Sequence, residues 1–370
     1  MNKFLLFTFS ISMCLLLSCT SKPLGEDNAT LVILNLDTVS ECSLQSRLFD
    51  NFQFISLENK RECLITEIDK LADTDEGFYI LDRSSVPVVL HFSHDGTFKN
   101  QIGRIGHGKN EYTYIDDMTV NDRGDTIAIL NYNKILFYDN DGVFLEEVKL
   151  DDKYGWDMLM HTPEGYLMGS YHRGYDGVLT LYDSKFSKKK HLGHSNPELI
   201  KGATSVRNLL QKNSNYISYF DPFASVFYIF NSSTKELFKK IALKSSNMVT
   251  EETAVMGESM SELMDQLVEY LIVDDLLYCM ILHKGYLKQY EIDFLHNEIK
   301  EMNSDVGYHF ECEHEGFLYK AMSPHAMKSV MSIVPTKESA SLSKMKRVAS
   351  DLARDFSDKD NYYIMRMTYK

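Results

Sequence analysis

The sequence predicts an all-β fold: a six-bladed β-propeller closed by an N-terminal strand in the C-terminal blade, with two short helical insertions. Three observations predict it. Short β-rich runs alternate with turn residues along most of the chain. The runs group into up-and-down units that recur every 44 to 48 residues. The last unit is one strand short, and a spare strand pattern, Asn51–Leu57, stands before the first unit.

The clearest unit covers residues 118–150. A run from Met118 to Asn121 is followed by the turn Asp122–Asp125, and a second run, Thr126–Leu130, ends at Asn131–Asn133. The third run is Lys134–Asp139. Asn140-Asp141-Gly142 is a hairpin turn in which glycine supplies a positive φ, and Val143–Leu150 is the fourth run. Four strands in about forty residues is the size of one blade. The preceding unit reads Glu67–Ala72, Phe78–Asp82, Val88–Ser93 and Thr97–Gly103, and the following one Asp157–Thr162, Tyr166–Tyr171, Val178–Asp183 and Lys188–Gly193. A fourth contains Tyr216–Tyr219, Ser225–Asn231 and Leu237–Leu243. The fifth has Leu276–Leu282 and Tyr286–Asp293, and the sixth Tyr308–Cys312, Phe317–Met322 and Tyr362–Tyr369. Helical spacing of Met256, Met260, Leu263, Met264, Leu267 and Leu271 predicts a helix over 250–271, and a second is expected near 337–356. Because an open sheet edge invites pairing with other chains, Phe52–Leu57 is expected beside Tyr362–Tyr369, where it closes the ring.

Composition agrees with a folded domain. The chain has 370 residues, 44 % apolar and 25 % charged, so long disorder is not expected. Its 53 acids against 39 bases give a net charge of −14, which disfavours nucleic acid as a partner. The length suits one large all-β domain or two ordinary ones.

The first residues read as an address. Lys3 precedes an apolar run, Phe4–Leu17, that is short for a bilayer span and suits a signal-peptide core. The run ends in Leu16-Leu17-Ser18-Cys19, which resembles the lipobox of bacterial lipoproteins. That resemblance implies cleavage before Cys19 and lipidation of Cys19. The expected organisation is a signal peptide over 1–18, a tether over 19–30 and the propeller over 31–370. Four further cysteines, Cys42, Cys63, Cys279 and Cys312, lie far apart with no CxxC spacing, so no structural zinc site is expected. Either a disulfide pairing or buried thiols would suit them in an oxidising compartment. No cofactor is expected.

The chain resembles the six-bladed β-propeller lipoproteins, related to the NHL-repeat type, of Bacteroides-like bacteria. The resemblance rests on the lipobox at Cys19, on Phe52–Glu58 with Leu64–Lys70, on Gly103–Tyr112, and on Asp360-Asn361 before the final strand. Gly103–Tyr112 is similar to the family's Gly-x-Gly-Pro-x-Glu-Tyr pattern, with Lys109 where proline is usual; likewise Tyr362 follows Asn361 where proline is usual. The resemblance implies the fold and a cell-envelope address, lipid-anchored and at the outer membrane. It implies little about chemistry.

Propeller topology assigns loops to faces. Connections between strands two and three, and between blades, share one face; the short turns between strands one and two lie on the other, where little room for a site is expected. The long-loop face then displays His107, Lys109, Glu111 and Tyr112, whose donors, acceptor and ring suit a ligand. The same loop also reads as a rigid connector, with Glu111 bonded to backbone N–H groups and Tyr112 packed. His172, Arg173 and Tyr175 form a second candidate, in which Arg173 would pair with a carboxylate or sugar acid. Asp221 and His283 are lesser members of that face, and Trp156 suits either a rim platform or a packed position. The expected function is a ligand- or partner-binding module for a small molecule, a glycan or another envelope protein. The alternative is a metal-dependent hydrolase or lyase using Asp116, Asp117 and Asp157 in the channel.

Overall fold

The computed structural model describes residues 29–39, 41–42, 50–150, 155–170, 178–187, 189–193, 208–222, 224–246, 265–302, 310–332, 345–349 and 360–368. The leader, Cys19, His172, Arg173, Tyr175 and most of both expected helices lie outside the described residues.

Six sheets succeed one another along the chain, as the repeat predicts. The N-terminal segment contributes β1 (Leu31–Asn35), β2 (Glu41–Cys42) and β3 (Asp50–Ser56). Blade 1 is β4 (Lys70–Thr74), β5 (Gly77–Asp82), β6 (Val88–Phe92) and β7 (Phe98–Gln101). Blade 2 is β8 (Asp117–Val120), β9 (Thr126–Asn131), β10 (Lys134–Asp139) and β11 (Phe144–Lys149). Blade 3 is β12 (Met158–Thr162), β13 (Gly165–Gly169), β14 (Leu179–Asp183) and β15 (Lys189–Leu192). Blade 4 is β16 (Leu210–Lys212), β17 (Tyr216–Asp221), β18 (Val226–Asn231) and β19 (Leu237–Lys244). Blade 5 is β20 (Gln266–Val273), β21 (Leu276–His283), β22 (Tyr286–Asp293) and β23 (Glu298–Met302). Blade 6 holds β24 (Cys312–His314), β25 (Phe317–Met322) and β26 (Tyr363–Thr368), and β3 is its fourth strand.

The closure matches the sequence reading. β3 runs antiparallel to β26, with Ser56 opposite Tyr363 and Phe54 opposite Met365. Strand alternation sends Phe52 and Phe54 toward blade 5, where they pack with Met365 and Met367, while Ile55 faces blade 1 with Ile364 and Phe78. The N-terminal segment also does something the sequence did not signal. β1 adds a parallel fifth strand to blade 4, and β2 does the same for blade 5. Asp37, in the turn after β1, accepts the Ser246 N–H and pairs with Lys284, which ties this strap to the propeller. These contacts hold the Asp37 carboxyl at about 2.

One helix expectation is corrected. Residues from Gln266 onward form β20, not the end of a helix. Val268, Ile272 and Val273 favour extended backbone, and a bulge between Leu267 and Glu269 sends Leu267 into one inter-blade core and Leu271 into the other. Residues 345–349 are helical, inside the second expected helix. A further helix, α1 (Pro324–Ser332), precedes it in the insertion of blade 6. Cys63, Cys279 and Cys312 carry free thiols, and Trp156 is packed edge-on to Tyr182 at 6.0 Å. The outermost strand of blade 3 exposes Lys189 and Lys190, which discourages edge pairing.

The first hairpins of blades 1 and 3 share a local device. Thr74 and Thr162 donate their hydroxyls to the carbonyls of Gly77 and Gly165, three residues on. At Gly77 φ is +126°, and an added Cβ would lie 2.1 Å from the Phe92 carbonyl oxygen. Gly77→Ala is therefore expected to lower stability by about 3 kcal/mol, read as a drop in denaturant midpoint at unchanged slope.

Candidate functional site

The innermost strands surround an axial cavity of about 170 Å³. Ties between blades fix its walls. Asp117 accepts from Lys70 Nζ at 2.8 Å and from the Leu159 N–H at 2.7 Å. His161 donates its N–H to Thr119 Oγ1 at 2.9 Å. Lys212 Nζ reaches Asp122 at 2.9 Å and the His161 carbonyl at 3.1 Å. Cys312 also lines the cavity; its side chain packs with the core between blades 6 and 1, and burial raises its pKa well above the usual thiol value.

The long-loop end of the channel carries the three aspartates. Asp117 is spent on the ties just named. Asp116 accepts the Tyr132 N–H at 2.6 Å, and Arg83 donates to its carbonyl at 2.8 Å while pairing with Asp69 at 3.2 Å. Burial, with the Asp157 and Asp117 charges nearby, pushes the Asp116 carboxyl up to about 6. Ser170 Oγ donates to Asp157 at 3.0 Å. Among the described residues no group of three or more His, Cys, Asp or Glu side chains is placed to hold a metal ion.

Of the loop residues singled out on that face, two work inward. Glu111 accepts from Arg104 Nε at 2.6 Å and from the Gly108 N–H at 2.8 Å. A Cβ on Gly106 would lie 2.0 Å from the Glu111 carboxylate, so glycine permits this closed loop. Tyr112 is fully buried and donates to the Ile102 carbonyl at 3.3 Å. His107 and Lys109 face solvent. Asp221 and His283 are both buried; His283 Nδ1 lies 2.5 Å from Asp265, and Asp221 accepts the Ala224 N–H at 3.2 Å.

The short-turn face corrects the expectation that it has little room. The axial cavity reaches Asp73, Asp122, Lys212 and His314 on that side. A second cavity of about 170 Å³ lies beside it between blades 6 and 1, lined by Gln53, Asp73, His94, His314, Tyr319 and Arg366 among others. Asp73 joins the two. Its carboxylate accepts from His94 Nε2 at 2.9 Å and is paired with His314 Nδ1 at 3.0 Å. Burial would raise the Asp73 pKa, but the bonds from His314 and Tyr319 hold it below the usual carboxylate value. The same bond raises the His314 pKa against its own burial. Turn-length rules concern the loops; they overlook the space between the blades themselves, which widens where side chains at the strand ends are polar and do not interdigitate.

The Asp73–His314 contact makes the seam pH-sensitive in a defined sense. The raised His314 pKa contributes stability that is complete below 6.5 and is lost as pH rises through the folded-state value. The lowered Asp73 pKa contributes stability present above 3.8 and lost as pH falls through its folded-state value. The melting difference between wild type and His314→Gln is thus expected to be largest between about pH 4 and 6.5 and to shrink toward pH 9. A difference that stays constant from pH 5 to 9 would refute this contribution.

Comparison with known proteins bears on the fold. The family model described as 6-bladed beta-propeller, DUF5128, matches residues 24–264. The chain belongs to this family. A Bacteroides fragilis protein described as exported has a crystal structure similar to this DUF5128 chain, with a TM-score of 0.70 and 16% identity, covering 92% of this chain and 100% of that one. A DUF4221 family member from Bacteroides vulgatus is 7% identical with a TM-score of 0.50, covering 89% of this chain and 99% of that one. At these identities the likeness shows the fold alone. No curated protein matches the chain.

Proposed function

We propose that this DUF5128 propeller is an exported binding module of the bacterial cell envelope, lipid-anchored through Cys19 at the outer membrane, that takes a small polar ligand at the short-turn mouth of its channel. The observation that carries the binding reading is the axial cavity, whose mouth sets Asp122 and Lys212 against Asp73 and His314. Mixed donors and acceptors on rigid strands suit the hydroxyl and charged groups of a glycan or nutrient. Blade-to-blade hydrogen bonds hold those groups in place before any ligand arrives. The leader, the lipobox and the likeness to an exported Bacteroides protein support the envelope address. On the opposite face, His107 and Lys109 stand on a loop fixed by Glu111 and Tyr112; with His172, Arg173 and Tyr175 they are assigned contact with a partner, such as another envelope protein.

Two experiments test this reading. Palmitate labelling and globomycin-sensitive processing are expected to disappear in Cys19→Ala; persistence of both in that variant would overturn the anchor. A thermal-shift screen of mono- and oligosaccharides and small nutrients is expected to yield stabilising ligands whose effect falls at least tenfold in affinity in Lys212→Gln. If no compound shifts the melting, or if Lys212→Gln binds equally well, the channel mouth is not the site.

A further inference from the structure

We propose that the cavity between blades 6 and 1 binds a small oxyanion, the carboxylate or phosphate group of a ligand, through Arg366 with His94 and His314. The proposal rests on reading the short-turn face as the binding face and adds a second pocket and a ligand class to it.

Ring closure builds the pocket. Arg366 lies in β26, opposite Tyr319 of β25 and opposite Gln53 of β3, so the three share one face of blade 6. That face looks toward blade 1, which supplies Asp73 and His94. The guanidinium carbon sits 3.5 Å from the centre of the Phe317 ring, a cation–π contact that anchors it to the wall.

Three facts single out Arg366. Of the described arginines it alone is not exposed. Its Nε is buried with no hydrogen-bond partner. No carboxylate pairs with it among the described residues, although acids outnumber bases 53 to 39 in the chain. A half-buried guanidinium ordinarily finds a carboxylate, because its fork of donors matches one and an unmet buried donor costs about 1–3 kcal/mol. Here the cation faces a polar cavity instead.

The neighbouring acids do not fill that role. Asp73 is engaged by His94 and His314, one on each oxygen, and by the Tyr319 hydroxyl. With one nitrogen of each imidazole on Asp73, the other remains for a ligand. Asp75 and Glu315 stand exposed on the rim, where solvent screens them. Glu313 and, across the channel, Asp122 are the remaining charges that act on His314. Protonation of His314 therefore adds positive charge to a pocket whose one inner acid is already compensated. An oxyanion should bind more tightly as pH falls.

Calorimetry on the full chain in detergent, with inorganic phosphate, glucuronate and uncharged glucose, tests this. Saturable binding of phosphate, glucuronate or both is expected, with no binding of glucose to this pocket. Phosphate alone would identify a phosphate group, glucuronate alone a carboxylate. Glucuronate keeps its charge between pH 5.5 and 8.0, and its affinity is expected to fall at least tenfold over that range. Affinity should fall at least tenfold in Arg366→Gln and stay within twofold in Lys190→Gln, on the outermost strand of blade 3. As a readout that needs no variant, the His314 imidazole proton signals of the wild type should titrate at higher pH with the anion present. If neither anion binds, if Arg366→Gln binds as wild type does, or if the His314 midpoint does not move, the proposal falls. Should the anions fail while a channel ligand still depends on Lys212, the channel reading stands without this pocket; if both fail, both are lost.

Discussion

Removing residues 50–56 is expected to abolish cooperative folding. This segment is the fourth strand of blade 6, and its loss leaves β26 with an open edge. It also strips Phe52, Phe54 and Ile55 from two inter-blade cores and detaches Leu57, which donates its N–H to the Tyr362 carbonyl at 3.0 Å. Four buried apolar side chains correspond to roughly 6–12 kcal/mol of hydrophobic stabilisation. A domain is typically stable by only about 5–15 kcal/mol, so the loss is comparable to the whole. Near-UV circular dichroism should show no sharp thermal transition. A deletion variant that melts as the wild type does would contradict the closure.

Asn361→Ala is expected to cost about 2–4 kcal/mol, an unusually large effect for one polar side chain. Asn361 is buried just before β26 and stitches the end of the chain to its beginning. Its Nδ2 donates to the carbonyls of Cys63, at 2.7 Å, and Glu58, at 3.0 Å. Its Oδ1 accepts the N–H groups of Ile65, at 3.2 Å, and Tyr362, at 3.0 Å. Alanine would leave these buried groups unsatisfied. Asn361→Asp should be no better, because a carboxylate cannot donate to the two carbonyls. Denaturant unfolding checks both variants, and a loss below 1 kcal/mol in Asn361→Ala would show that the stitch matters little.

Much of the architecture was legible because each blade carries its own local signals. The runs Lys134–Asp139 and Phe317–Met322 are bounded as the residues suggest, since a β-rich run and a flanking turn agree there. β16 escaped because Leu210–Lys212 is only three residues long, too short to show a period. β1 and β2 escaped because a fifth outer strand needs only an open edge on a blade formed more than 200 residues later. The loop at Gly103–Tyr112 has a special conformation, in which Gly106 and Gly108 permit the close approach of Glu111 and Gly103 that of the Tyr138 ring.

The pocket at the seam was hidden for a different reason. Asp73, His94, His314 and Arg366 belong to no motif and come from opposite ends of the chain. Only ring closure makes blades 6 and 1 neighbours. The signal that could have found it was the predicted pairing itself: once β3 is laid beside β26, the turns at Asp75 and Glu315 fall side by side, and the titratable residues around them meet. A lone arginine in a strand pattern, Tyr363–Thr368, is the residue that such a step would have questioned.

Native-state hydrogen exchange, followed by mass spectrometry of peptides covering 50–57 and 363–368, tests the closed ring most directly. The amides of both peptides that bond across the ladder between β26 and β3 should exchange as slowly as the ladder amides of blades 1 and 2, because opening them requires the ring to open. Rapid exchange of 50–57 while the other blades stay protected would contradict it.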